Sequence, residues 1–226
     1  MKKTSLAVLA LLAVCACKNK TPESNVAGGV ETFCPDDNHP HMIDFGLPSG
    51  TLWSCCNMGA DIPSDAGEYY AWGEIDPKTE YTKHNYAFCD TTSGEYINLH
   101  REHVAMSEYD MAHIRWGQGW HLPTLDDCKE LVEECSWSQY TQNGVPGVRV
   151  SRGDQAIFIP AAGCIDGKEM RSKDSCGYYW TDTSCILRPG HVFCQLAGLR
   201  EDGGAGNMYS DLDAYLGMSV RPVHFP

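Results

Sequence analysis

Several things are scarce or missing in this chain, and each absence removes a class of answer. No apolar run reaches the roughly 18–20 residues that a bilayer-spanning helix needs, which excludes a polytopic helical membrane protein. Basic side chains are few: 17 Lys and Arg stand against 30 Asp and Glu, for a net charge of -13. A nucleic-acid binder needs a basic stripe to meet phosphates, so no nucleic-acid partner is expected, and anionic surfaces in general are disfavoured. There is no CxxC and no HExxH, so a zinc ribbon, a thioredoxin-like pair and a zincin-type protease lack their signatures. There is also no GxSxG elbow and no phosphate-cradling glycine loop. Carboxylates are too common in so acidic a chain for any pair to signal a glycosidase.

What is present suits one domain with a tail. The chain has 226 residues and is 42% hydrophobic, enough for a real core. Met1, Lys2 and Lys3 form a basic start, and Leu6 to Val14 is a short apolar stretch, the pattern of a secretory signal. Ala16 precedes Cys17, and a small residue before a cysteine resembles the bacterial lipobox; Cys15 has the bulkier Val14 before it. The expectation is a lipoprotein signal over 1–16, lipid on Cys17, a tether over 17–38 and a folded domain over 39–226. Such a protein is exported and held in the bacterial outer membrane by lipid alone. Lys18 to Lys20 lacks an acidic cluster, so the sequence leaves open whether it faces the surface or the periplasm. Removing 1–16 leaves 15 basic residues against 30 acidic, a net charge of -15.

Beyond Cys17 ten cysteines remain: Cys34, Cys55, Cys56, Cys89, Cys128, Cys135, Cys164, Cys176, Cys185 and Cys194. An even number in an exported domain reads as a disulfide framework, each bridge contributing about 2–4 kcal/mol. The local pairings Cys164–Cys176 and Cys185–Cys194 each flank a turn, and Cys56–Cys135 would tie an early strand to a helix. On an extended chain Cys55 and Cys56 point apart, so they should take different partners. Free thiols in a metal or redox site are the alternative.

Periodicity and turn residues give the coarse order. Met42 to Gly46 and Thr51 to Cys56 read as strands around the turn Leu47–Gly50. Glu68 to Gly73 reads as extended, and Asp76 to Gly94 as loop. Ser107 with Asp110 is a capping-box pattern that opens a helix ending near Gly117; Thr124 with Asp127 repeats it. The second helix puts Leu125, Cys128, Leu131, Val132 and Cys135 on one face. Strands are expected at Val148–Val150, Ala156–Ile159, Tyr178–Thr181, Val192–Leu196 and Met218–Val223, with Gly198 to Gly206 as the most flexible loop. Two helices and several later strands predict an α+β domain with mostly antiparallel sheets.

Seven segments in order carry a resemblance. They are His41–Trp53 (HMIDFGLPSGTLW), Cys56–Ala60 (CNMGA), Gly67–Glu74 (GEYYAWGE), Asp110–Thr124 (DMAHIRWGQGWHLPT), Phe158–Gly163 (FIPAAG), Gly177–Trp180 (GYYW) and Gly217–Val223 (GMSVRPV). Over roughly 39–224 the chain resembles the Fibrobacter succinogenes major paralogous domain, which is common in exported lipoproteins. That family is similar to the C-type-lectin-like and sulfatase-modifying-factor folds. The resemblance implies a C-type-lectin-like domain of two short helices packed on small, mostly antiparallel sheets with long irregular loops. It implies binding or adhesion rather than a known reaction. Cysteines at the positions of Cys56 and Cys135 are frequent in the family, which supports that bridge. His121 departs from the pattern, standing where the family usually has Arg.

The resemblance frames the site residues. Trp53, Trp72, Trp116, Trp120 and Trp180 could stack on sugars, but large aromatics in small domains are chiefly core. His100, His103, His113 and His121 form a histidine-rich stretch in which His100 and His103 could share a helix face and ligate zinc, but without an HExxH the expected reading is surface imidazoles plus one packed motif histidine. Trp180-Thr-Asp182 echoes half of the calcium-dependent lectin site; the Glu-Pro-Asn or Gln-Pro-Asp half is absent. No cofactor is expected, and calcium stays open without support. By fold analogy a glycan or protein ligand would meet Gly167–Asp174, Leu187–Pro189 and Leu199–Asp213, with Arg171, Arg188, Arg200 and Tyr209 as contacts. No catalysis is expected. The alternatives are a thiol and copper enzyme of the sulfatase-modifying type, which would use the late cysteines, and a structural component of a surface appendage.

Overall fold

The computed structural model describes residues 41–97, 103–117, 119–185, 187–199 and 205–225. The expected signal, Cys17, the tether, Cys34, His100 and Arg200 lie outside the described residues.

The chain closes on itself early. Strands β1 (Met42–Ile43) and β2 (Leu52–Ser54) pair antiparallel across the turn in which Gly50 N–H donates to the Leu47 carbonyl at 2.9 Å. β2 then pairs with β12 (Val223–His224), and β12 with β3 (Trp120–His121), so the first and last described strands share one sheet. Arg221, 1% exposed, stitches this sheet to the next through the carbonyls of Ser54 (3.2 Å) and Phe158 (2.8 Å).

Two helices follow from their caps. α1 (Met111–Trp116) starts at Asp110, not at Ser107 as the sequence suggested. The Asp110 carboxylate accepts from the N–H groups of Ala112 (3.0 Å), His113 (3.2 Å), Met106 (2.9 Å) and Leu122. Ser107 caps nothing in the helix; its hydroxyl donates to the Val104 carbonyl. α2 (Leu125–Glu134) carries the expected capping box: Asp127 N–H donates to Thr124 Oγ1, and Thr124 N–H donates to the Asp127 carboxylate. Of its apolar face Cys128 and Leu131 are buried, while Cys135 is the C-cap rather than part of the last turn.

Two three-stranded antiparallel sheets form the regular half. One is β4 (Ser136–Gln142), β5 (Val145–Arg152) and β6 (Gln155–Pro160). The other is β9 (Cys176–Ser184), β10 (His191–Leu199) and β11 (Ala205–Asp213), with β9 and β11 flanking β10. They face each other, β5 over β10, and bury Val148, Val150, Ile157, Ile159, Tyr179 and Ala197 between them and α2. Between the sheets' strands the chain makes a small hairpin, β7 (Cys164–Asp166) and β8 (Glu169–Arg171). Two sequence expectations change here. β4 was not anticipated, and the presumed loop Leu199–Asp213 is largely β11, paired with β10 over nine positions. Conversely, in the expected strand Met218–Val223, Met218 and Ser219 make only isolated bridges to Tyr70 and Tyr179, and the strand proper is Val223–His224. The result is mostly antiparallel strands in small sheets with two α-helices among the described residues, an α+β class.

A second core is built by irregular chain. Tyr70, Trp72, Tyr86, Met111, Leu122, Trp180 and Met218 are buried there, 2% exposed or less. Among the motif tryptophans Trp53, Trp72, Trp120 and Trp180 are buried core residues, and Trp116 packs edge-on against Trp120 at 5.2 Å.

Candidate functional site

The β9–β10 connection forms a braced tip. Arg188 N–H donates to the Cys185 carbonyl and His191 N–H to the Arg188 carbonyl, while Cys185 N–H returns to the His191 carbonyl. Gly190, at φ +79, brings the backbone against the Tyr96 ring; a Cβ there would overlap it, so both the backbone angle and the contact require glycine. At the tip Leu187 stands 93% exposed.

Beside it a charged network is held in place. Arg188 Nη1 lies 2.6 Å from Asp211 Oδ2, and Arg188 Nη2 lies 3.1 Å from His191 Nε2. The guanidinium is donor-only, so in this bond His191 Nε2 is the acceptor. Tyr96 O–H donates to Asp213 Oδ1 at 3.1 Å, and Lys83 Nζ lies 4.4 Å from the Tyr96 ring centre. Burial, then the Asp213 carboxylate, pushes the Tyr96 phenol well up, so it stays a donor. The arrangement can present one fixed cation beside one exposed apolar side chain.

Of the four residues expected to bind ligand, the three that are described lie on separate elements. Arg171, on β8, pairs with Asp166 at 2.9 Å. Arg188 is in the tip, and Arg200 lies outside the described residues. Tyr209 is not an exposed contact. It packs half-buried against the sandwich core, its hydroxyl buried without a partner among the described residues, and burial raises its pKa. No contact among the described residues joins Arg171, Arg188 and Tyr209. His191, Asp211, Asp213 and Tyr96 were not singled out from the sequence. His191 sits within three residues of Arg188, a local clue, but nothing local links Tyr96 to Asp213.

Asp182 offers a second polar centre. Its carboxylate accepts from Thr183 Oγ1 at 2.6 Å and lies 3.1 Å from His103 Nδ1. Burial raises its pKa, and the hydrogen bond from Thr183 and the charge of His103 pull the other way. The residue that echoed a calcium ligand is thus engaged with protein groups. A groove of about 440 Å³ beside α2 is lined by Asp126, Glu130, Glu133 and Glu134, with Glu130 accepting from Ser49. Among the described residues no group of three His, Cys, Asp or Glu side chains is placed to hold a metal, and no helix is long and apolar enough to cross a membrane.

The cysteines differ from expectation. Cys135, Cys164, Cys176, Cys185 and Cys194 are thiols, so none of the bridges Cys56–Cys135, Cys164–Cys176 and Cys185–Cys194 is closed. Cys185 follows β9 opposite His191, whereas Cys194 lies opposite Trp180. An offset of three strand residues is about 10 Å, beyond the roughly 7 Å Cα separation a bridge tolerates. Cys164 and Cys176 flank the paired Gly163 and Gly177, and Cys56 and Cys135 border one core. Cys55 and Cys56 do not point apart: the chain bends there, and their sulfurs are 3.7 Å apart. Burial raises the Cys164 and Cys176 thiols to about 11, unsuited to thiolate chemistry at neutral pH.

No family model, curated protein or solved structure matches the chain.

Proposed function

We propose that this is a lipid-anchored cell-envelope protein whose domain, C-type-lectin-like and of the Fibrobacter succinogenes major paralogous type, binds a glycan or protein ligand without catalysis. The fold reading is supported by the seven ordered motifs, by pairing of the first and last described strands, and by long irregular segments between few helices. The observation that carries the binding reading is the tip: Leu187, 93% exposed, beside an Arg188 fixed by Asp211 and His191. An exposed apolar group next to a pre-oriented arginine is the composition of a binding hot spot.

The full chain in mild detergent, displayed against a glycan array and against isolated envelope proteins, tests this. Leu187→Ala and Arg188→Ala should each weaken a captured ligand about tenfold or more, with unchanged thermal melting. A ligand held equally well by both variants would remove the tip from the site; capture of nothing by the wild type would remove the function. Disulfide stapling remains part of the proposal for the exported form, with Cys164–Cys176 and Cys56–Cys135 as the pairs the fold leaves open. Alkylation followed by intact mass on exported protein counts the thiols.

A further inference from the structure

Among the described lysines Lys83, Lys129, Lys168 and Lys173 are exposed, and Lys78 is not. Its side chain is 22% exposed, set against a Glu74 that is 11% exposed, with Nζ 2.7 Å from Oε2 and 3.0 Å from Oε1. The ammonium also lies 5.6 Å and 5.9 Å from the ring centres of Tyr81 and Tyr86, both buried. A third group meets it there. Nζ is 3.2 Å from the backbone oxygen of Asn85 and 3.5 Å from its side-chain Oδ1.

The Asn85 amide is held still. Oδ1 accepts from Thr82 N–H at 3.0 Å, and Nδ2 donates to the Glu80 carbonyl at 2.8 Å. A primary amine, a carboxylate and a fixed carboxamide are thus in contact within one stretch of irregular chain. An amine beside a base is a latent nucleophile, and an amide whose oxygen already takes a backbone N–H is polarised for attack. The carbon to be attacked is one bond, about 1.2 Å, beyond Oδ1. Holding both groups in one frame removes much of the entropic barrier that separates them in water.

We propose that Lys78 and Asn85 join in an isopeptide bond, made by the chain itself with Glu74 as the proton carrier. Glu74 takes a proton from the Lys78 ammonium. The freed lone pair forms the Nζ–Cγ bond while the carbonyl electrons move to Oδ1, where Thr82 N–H steadies the charge. The tetrahedral centre then collapses and the Cγ–Nδ2 bond breaks. Two protons in all pass from Nζ to Nδ2, by way of Glu74 and, because Asn85 is exposed, water. Nδ2 leaves as ammonium. One amide replaces another, so no oxidant or reductant is needed. The product is a covalent ring over 78–85, which pins the segment whose Lys83 lies over the Tyr96 ring behind the tip.

The test is peptide mass spectrometry of the full chain, purified in detergent, reduced and digested with trypsin. Acylation takes the charge from Lys78, so trypsin should not cut after it. Cutting after Lys83 should instead give a branched species: the peptide ending at Lys83 joined to the peptide beginning at His84, lighter than the two by one ammonia. Lys78→Arg keeps the ion pair with Glu74 and should abolish the link. Glu74→Gln should abolish it although both reacting groups remain. Asn85→Asp should still link, losing water in place of ammonia. A wild-type digest in which Lys78 ends a free peptide overturns the proposal. So does an ammonia loss confined to a linear peptide, which would be a succinimide at Asn85, or a link that persists in Glu74→Gln. The wild-type digest decides alone, so a variant that failed to fold leaves the test intact.

Discussion

The two cores of this protein are held by different means. In the sandwich, Val148, Val150, Ile157 and Ile159 fill the space, and backbone polar groups are satisfied by ladder hydrogen bonds within regular strands. In the aromatic core the chain is mostly irregular, and side chains add hydrogen bonds to backbone carbonyls beside the few bridges there. Trp72 Nε1 donates to the Thr181 carbonyl at 2.9 Å, Trp180 Nε1 to the Tyr70 carbonyl at 2.8 Å, and Tyr86 O–H to the Trp72 carbonyl at 2.7 Å. The Tyr81 hydroxyl does the same for the Tyr69 carbonyl. Such a core satisfies its buried backbone groups with side chains as well as with backbone bonds. The β9–β10 tip draws on both: β9 and β10 supply its frame, and Tyr96, from the irregular segment, supplies its brace.

The largest break in that comparison should come at Asp110. Its buried carboxylate serves four backbone N–H groups from three segments, those of Ala112 and Leu122 buried and those of Met106 and His113 partly buried. Asp110→Ala leaves several donors without a partner at once, and a loss of about 4 kcal/mol is expected. Asp110→Asn, which keeps one carbonyl oxygen, should lose about half. Urea melts of both variants would measure it.

Next come two conservative truncations, one per core. Trp180→Phe keeps an aromatic ring but removes one of the two hydrogen bonds at the Tyr70 carbonyl, which also accepts from Met218 N–H at 3.0 Å, and opens space, at a cost of about 2–3 kcal/mol. Ile157→Val in the sandwich removes one methylene and no hydrogen bond, at a cost of about 1 kcal/mol. Equal losses would mean that the polar anchors of the aromatic core contribute little.

The same contrast explains what the sequence disclosed. α2 was legible because the Thr124–Asp127 box and its apolar face are local signals. The turn between β1 and β2, and the cores of β5, β6, β9 and β10, were legible for the same reason. β11 was not: its glycine and polar residues read as loop, and nine pairs with β10, a non-local cause, make it strand. β4 was missed although Asn143-Gly144 between two β-prone runs is a strong hairpin signal. The start of α1 was misplaced because Asp110 also takes the Leu122 N–H, twelve residues on, which favours it over Ser107. Of the candidate site, Leu187 and Arg188 were legible as an exposed turn. The network behind them was not, because Tyr96 and Asp213 meet only in the folded chain.

A smaller effect is the pH dependence set by Asp182, which borders the aromatic core. Burial raises its pKa above 3.8 in the folded protein, so the folded state holds this proton more tightly than the unfolded chain. Stability from this group is therefore fully present below 3.8 and is lost as pH rises through the folded value. Asp182→Asn removes the titration. Between pH 3 and pH 6 the variant should gain on the wild type as pH rises, measured by urea melts at fixed salt. A difference that stays flat, or moves the other way, would show that the bonds from Thr183 and His103 outweigh burial.

The smallest effect should be at Tyr209, where the sandwich carries a polar group without the anchoring that the aromatic core gives its own. The ring packs against the core, but the hydroxyl is buried and has no partner among the described residues. A buried hydroxyl that bonds nothing costs free energy relative to the same site without it. Tyr209→Phe keeps the ring and removes only that oxygen, so it should be neutral or stabilising by up to about 1 kcal/mol, where the matching change at Tyr86 in the aromatic core should destabilise. It should also leave ligand capture at the tip unchanged, because Tyr209 faces inward. Thermal melts of both phenylalanine variants, run beside the binding assay, decide this. A Tyr209→Phe that melts lower would mean that the hydroxyl is satisfied in solution, and a loss of binding would return Tyr209 to the ligand surface.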